Sequence, residues 1–143
     1  MVYMLKVYKL PSATPQARGK PMVNLLPLKT GESIATMMPL PEDEATWDEM
    51  QVMFATSRGD VRRNPLRDFT NVKSNGKIAM KLEERKGEEP AELIGVKACS
   101  EGQDVLLAIT SGKCIRFPIT EVREFASRSS TGVRGIKCSA EDR

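Results

Sequence analysis

Short apolar runs broken by glycine-bearing turns dominate the chain, and one pair of them recurs. Val52-Met-Phe-Ala-Thr-Ser-Arg-Gly-Asp-Val-Arg-Arg-Asn-Pro-Leu66 aligns without a gap with Val105-Leu-Leu-Ala-Ile-Thr-Ser-Gly-Lys-Cys-Ile-Arg-Phe-Pro-Ile119. Ala55 falls on Ala108, Gly59 on Gly112, Arg63 on Arg116 and Pro65 on Pro118, an offset of 53 residues. Each copy reads as an apolar strand, a tight turn and a second strand of alternating character, the pattern of a β-hairpin. Proline cannot donate to a ladder, so Pro65 and Pro118 are expected at the ends of outer strands.

The segments after the hairpins repeat as well. Ser74-Asn-Gly-Lys-Ile-Ala-Met-Lys-Leu82 matches Ser130-Thr-Gly-Val-Arg-Gly-Ile-Lys-Cys138, and Ala17-Arg-Gly-Lys-Pro-Met-Val-Asn-Leu25 is an earlier copy. Gly19, Gly76 and Gly132 thereby share one role, a close backbone approach or a positive φ at a turn. Ser33-Ile-Ala-Thr-Met-Met38 aligns with Glu92-Leu-Ile-Gly-Val-Lys97, and Met1-Val-Tyr-Met-Leu5 resembles the outgoing strand of a hairpin. The unit is about four short strands over 53 to 57 residues, close to a propeller blade in size. The expected fold is all-β, a single partial domain of roughly two and a half blades, with units near 1–50, 51–104 and 105–143. Both ends are expected to fall in mid-repeat. Residues 42–50 read as a loop with at most one helical turn, and 83–92 as a charged connection.

Composition narrows the chemistry. The chain has 143 residues, 40% of them hydrophobic and only 5% aromatic. It has no histidine, which excludes imidazole bases, Ser-His and Cys-His nucleophiles and His-ligated metals. Cys99, Cys114 and Cys138 are too widely spaced for a metal site. They are expected to be buried reduced thiols. No apolar run reaches membrane-spanning length and the first residues lack the pattern of a signal peptide, so an intracellular protein is expected.

The net charge of +3 conceals an alternation. Residues 1–29 carry five basic groups and no acid, and 42–49 carry five acids and no base. Residues 58–81 carry seven basic groups against two acids, 83–92 are net acidic, and 111–137 carry six basic groups against two acids. Blades stacked around an axis would bring equivalent basic positions onto one rim, a track suited to phosphates along a curved duplex. The candidate contacts are Arg18, Lys20, Arg58, Arg62, Arg63, Lys73, Lys77, Arg116, Arg128 and Arg134. The aromatics Tyr3, Tyr8, Phe69, Phe117 and Phe125 sit mostly at strand positions suited to core packing, which argues against single-stranded nucleic acid.

Several motifs in this order resemble the C-terminal domain of the DNA gyrase A subunit. They are Met1-Val-Tyr-Met-Leu-Lys-Val-Tyr-Lys-Leu-Pro11, Gln16-Ala-Arg-Gly-Lys-Pro21, Asn24-Leu-Leu-Pro-Leu28, Phe54-Ala-Thr-Ser-Arg-Gly59, Asn75-Gly-Lys-Ile-Ala-Met80 and Ser130-Thr-Gly-Val-Arg-Gly-Ile136. The resemblance implies a β-pinwheel, whose blades exchange strands, and a basic perimeter that wraps double-stranded DNA without sequence readout. It further implies a non-catalytic role within an ATP- and Mg-dependent type II topoisomerase that introduces negative supercoils. The partners would be the gyrase B subunit together with the rest of gyrase A, in an A2B2 assembly in the bacterial cytoplasm, associated with the nucleoid. No cofactor, metal or catalytic residue is expected in this chain. The family's Gln-Arg-Arg-Gly-Gly-Lys-Gly box is absent, Gln16-Ala-Arg-Gly-Lys-Pro21 being a degenerate relative of it, and Arg85-Lys-Gly-Glu-Glu-Pro90 is insertion-like. Two alternatives stay open: the equivalent domain of topoisomerase IV, and a β-repeat module whose acidic loops dock a basic protein.

Overall fold

The run Val52-Met-Phe-Ala55 becomes the central strand of a sheet, with a neighbour on each side and packed layers on both faces. The structure, a computed structural model, describes residues 1–82, 84, 86–139 and 142. Among these the strands are β1 (Gln51–Thr56), β2 (Asp60–Pro65), β3 (Leu93–Cys99), β4 (Asp104–Ala108), β5 (Cys114–Pro118) and β6 (Val133–Arg134). A four-stranded sheet has the order β3-β1-β2-β6, and β4 and β5 form a separate hairpin. The four strand pairings are antiparallel, and an isolated parallel bridge joins Arg63 and Glu124.

Alternation along β1 divides the core. Val52 and Phe54 join Trp47, Leu66, Phe69, Ala79 and Val96 in one cluster. Met53 points the other way and joins Val61, Ile119 and Val122, against which Val105, Leu107 and Phe117 of the second hairpin pack. The sheet therefore lies between a layer of loops and the β4–β5 hairpin. Full burial of each large aliphatic side chain contributes about 1.5–3 kcal/mol, so neither layer is dispensable.

Both hairpins end at their prolines and in the same way. After Pro65 and Pro118 the backbone tightens into 3-10 turns, Leu66–Phe69 and Ile119–Glu121. The Leu66 amide donates to the Met50 carbonyl at 2.9 Å, and the Ile119 amide to the Gln103 carbonyl at 3.0 Å. Donor and acceptor in the two copies are each 53 residues apart.

The glycine segments join neighbouring units. Val133 opposes Val61 and Arg134 opposes Asp60, so a strand from beyond the second hairpin completes the sheet of the first. The earlier copy shows the same contact in reduced form, because Val2 and Lys77 exchange backbone hydrogen bonds of 2.8 and 2.9 Å. At Gly132 (φ +100) a Cβ would collide with the Val61 carbonyl oxygen and lie 3.1 Å from the Arg62 Cβ. At Gly76 (φ +81) it would lie 2.7 Å from the Tyr3 ring. The two glycines thus serve equivalent close approaches.

Five sequence expectations are corrected. β2, which ends at Pro65, lies between β1 and β6 and is not the outer strand expected for it. The strand-like segments 1–5, 33–38 and 74–82 form no regular strand; an isolated bridge between Val2 and Lys77 is what they contribute. An extended segment becomes a strand only where another backbone satisfies its N–H and C=O groups, and no described backbone pairs with 33–38. Residues 42–50 are more ordered than a loop: Asp43 caps a six-residue 3-10 helix, Glu44–Glu49. That helix buries Trp47 to 2% exposure, its indole donating to the Pro41 carbonyl at 3.0 Å. The thiols are free but not all buried, since Cys114 is exposed at the start of β5 while Cys99 and Cys138 are half-buried. Tyr8 is 80% exposed rather than packed, whereas Phe69 and Phe125 are buried. Glu83 and Arg85, part of the charged connection and of the insertion-like stretch, lie outside the described residues.

Candidate nucleic-acid interface

The ten cations singled out in the sequence separate into three groups by what holds them. Arg62 and Arg63 sit in the middle of β2 and project to opposite faces of the sheet, and the layers packed on those faces bury both, at 0% and 8% exposure. Neither guanidinium is presented as a surface contact. The Arg62 guanidinium donates to the Ser130 carbonyl at 2.6 Å and to the Ser127 carbonyl, and lies 5.6 Å from the Phe125 ring centroid. Burial lowers its affinity for a proton, the nearby Asp68 charge opposes that effect, and Arg128 adds to it. Arginine stays charged regardless at neutral pH. Arg63 points from the opposite face, near Cys99, and its Nε and one terminal nitrogen have no hydrogen-bond partner among the described residues.

Two further cations are engaged inside the chain. Lys77 donates to the carbonyls of Asp68 and Thr70, at 2.7 and 3.1 Å. Arg58, at the β1–β2 turn, has a side chain 14% exposed; it pairs with Glu88 at 3.4 Å and donates to the Glu89 carbonyl at 2.8 Å. The acidic connection thus lies over a basic turn.

Exposed cations remain. Arg18 and Lys20 lie in extended coil, Lys73 in a turn and Arg134 on β6, all exposed. Arg116 is 75% exposed and pairs with Asp104 at 3.2 Å, an ion pair worth at most about 1 kcal/mol and open to exchange. Arg128 is half-buried in the 126–131 loop. The sequence reading passed over other exposed cations, among them Lys97 on β3, Arg123 and Lys137. Arg123 stacks 4.4 Å from the Phe125 ring centroid, and its position two residues before a buried aromatic was the available signal.

One stretch gathers several of these groups. The Phe125 amide donates to the Arg63 carbonyl at 2.9 Å, and its carbonyl accepts from the Asn64 side-chain Nδ2 at 2.7 Å. Further along, Arg62 takes the Ser127 and Ser130 carbonyls, and β6 follows. The 123–134 stretch therefore runs along β2 under tight restraint while carrying Arg123, Arg128 and Arg134. No group of three or more metal-ligating side chains occurs among the described residues.

Comparison with known proteins points to one family. The family model described as DNA gyrase C-terminal domain, beta-propeller, covers residues 1–41, 51–100 and 103–143. The DNA gyrase A subunit of Rickettsia bellii is 50% identical over 141 residues, 99% of this chain and 15% of that protein. Its Escherichia coli counterpart is 41% identical over 142 residues, with the same shares covered. The chain thus spans about 15% of the length of these relatives. A solved C-terminal domain of DNA topoisomerase IV shares the fold with a TM-score of 0.76 at 19% identity, over 95% of this chain and 40% of that one. The DNA gyrase A C-terminal domain does so with a TM-score of 0.70 at 21% identity, over 89% and 39%. With half of its residues shared with a gyrase A protein and the family pattern running through all three repeats, this chain belongs to the beta-propeller DNA gyrase C-terminal domain family.

Proposed function

We propose that this chain binds and bends duplex DNA through its exposed cations, without reading sequence, as a non-catalytic part of a gyrase-type type II topoisomerase. The observation that carries this reading is the restrained 123–134 stretch, which carries the exposed Arg123 and Arg134 and the half-buried Arg128 beside a sheet edge while the neighbouring Arg62 and Arg63 are withdrawn. Restrained cations suit phosphate neutralisation without sequence readout. Arg18, Lys20, Lys73 and Arg116 are further exposed cations available to phosphate. Wrapping of this kind would serve the rest of gyrase A and its B partner, in a bacterial cytoplasmic enzyme whose ATP and Mg chemistry lies outside this chain. The sequence relatives named above are gyrase A proteins, which favours gyrase over topoisomerase IV. The protein-docking alternative is weakened because Glu88 and the Glu89 carbonyl in the 83–92 connection are engaged by Arg58. The test is a duplex gel shift over a range of salt with the Arg123→Glu/Arg128→Glu/Arg134→Glu variant. Loss of binding with a shallower salt dependence supports the reading, and unchanged binding overturns it.

A further inference from the structure

We infer that Arg62 is a positioning residue, a brace inside the fold that sets the path of the 125–134 stretch and so delivers Arg128 and Arg134 to phosphates it does not itself touch. This rests on the proposed function above.

Four observations converge on it. Arg62 has no exposed surface, so it lies out of reach of a polymer backbone. Its guanidinium bridges the carbonyls of Ser127 and Ser130, the two residues that bracket Arg128 and Ser129. A planar fork with donors fixed in space holds two acceptors at a set separation, which a single ammonium does less well. Its stem lies under Gly132, where only the missing side chain lets the backbone pass, and two residues further on comes Arg134. The same ring, Phe125, also receives the exposed Arg123, so one anchor organises the exposed Arg123 and Arg134 and the half-buried Arg128.

Lys77 shows the device a second time in the chain. It takes the carbonyls of Asp68 and Thr70 and stands one residue after Gly76, at the other inter-unit contact. Buried or half-buried cations thus bind loop carbonyls at both junctions, while the exposed ones point outward. Like charges close together, such as Arg62 and Arg128, repel. The two carbonyls already occupy Arg62, and Arg128 beside it is half-buried, one of its terminal nitrogens buried without a hydrogen-bond partner among the described residues.

A double-mutant cycle on the full chain tests this. Duplex affinity and its log-log salt slope would be measured for the wild type, Arg62→Gln, Arg128→Gln/Arg134→Gln, and the triple variant. A brace predicts that Arg62→Gln lowers affinity on the order of 10-fold and flattens the slope by about 1. The same change then costs less than about 2-fold once Arg128 and Arg134 are gone. If the losses add fully, Arg62 contacts phosphate itself and the inference is wrong. If Arg62→Gln lowers the unfolding midpoint but leaves affinity and slope unchanged, Arg62 is structural only and the inference is again wrong. Should Arg62→Gln fail to fold, Arg62→Lys takes its place in the cycle; retention of full affinity and slope by that variant counts against the fork geometry and overturns the idea. A wild type without salt-dependent duplex binding would instead overturn the proposed function, a result readable before any variant is made.

Discussion

At Gly132 two separate costs meet, and they can be told apart. A left-handed backbone costs a non-glycine residue roughly 1–2 kcal/mol wherever it occurs. Gly102 (φ +89) carries that cost alone, because a Cβ there meets nothing within 4 Å. At Gly132 the Cβ also strikes the Val61 backbone, which cannot move without breaking the β2–β6 pairing. Gly132→Ala should therefore destabilise the chain by clearly more than Gly102→Ala, about 3 kcal/mol against about 1, as read by urea unfolding. Similar losses for both would show that the β2–β6 junction yields. Asp142 makes a second residue-scale prediction. Its carboxylate accepts from the Ser111 amide at 3.2 Å and from the Ser139 amide and hydroxyl at 2.9 and 2.7 Å. Hydrogen bonds from Ser111 and then Ser139 hold it well below its ordinary value of 3.8. A carboxyl depressed in the folded state stabilises the fold above its unfolded pKa, about 3.9, and that stabilisation is lost as pH falls below it. Acid titration of the unfolding midpoint should show a fall below about pH 4 that Asp142→Asn largely removes; an unaltered acid profile in that variant would discount the tie.

At the scale of elements, the 3-10 helix Glu44–Glu49 shows how little local regularity a core element needs. Its acids face solvent and a single side chain, Trp47, enters the core. Removal of a buried large aromatic typically costs 3–5 kcal/mol, so Trp47→Ala should lose about that much of the stability in denaturant titration. The chain has one tryptophan, so its emission also reports the packing directly: blue-shifted in the native state and red-shifted on unfolding. A native spectrum already characteristic of exposed indole would contradict its burial. The acidic run that made 42–50 look like a loop was legible; the role of Trp47 was not. Periodicity identifies faces, and one large apolar residue among five acids has none.

For the whole molecule, the decisive quantity is how many cations meet phosphate together. Each neutralised phosphate contributes about 0.9 to the salt slope. The Arg123, Arg128 and Arg134 reversal should thus flatten the slope by roughly 2–3 if all three contact DNA. Repulsion added by three glutamates should lower affinity further at low salt, with a smaller effect as salt screens it. The overall charge of +3 would not suggest such sensitivity. It follows from separation: acids cluster in the 42–49 segment and the 83–92 connection, while bases concentrate in 1–29, 58–81 and 111–137.

Sequence alone determined the hairpins, their 53-residue offset and their proline ends, because those features are local: a run of apolar residues, a glycine turn and a missing N–H act within a few residues of one another. It also marked Gly132 and Gly76 as equivalent and placed the chain near the right family. Which backbone pairs with which was decided by tertiary structure. Residues 92–97 and 33–38 carry similar patterns, yet β3 forms because β1 lies alongside it, and 33–38 has no such neighbour among the described residues. The same distinction governs the cations. Arg62 and Arg63 look like surface charges on an alternating strand, but β2 keeps no solvent face once the second hairpin packs on one side and the 125–130 loop on the other. Charge can be read from sequence; whether that charge meets solvent or a carbonyl depends on what packs against it.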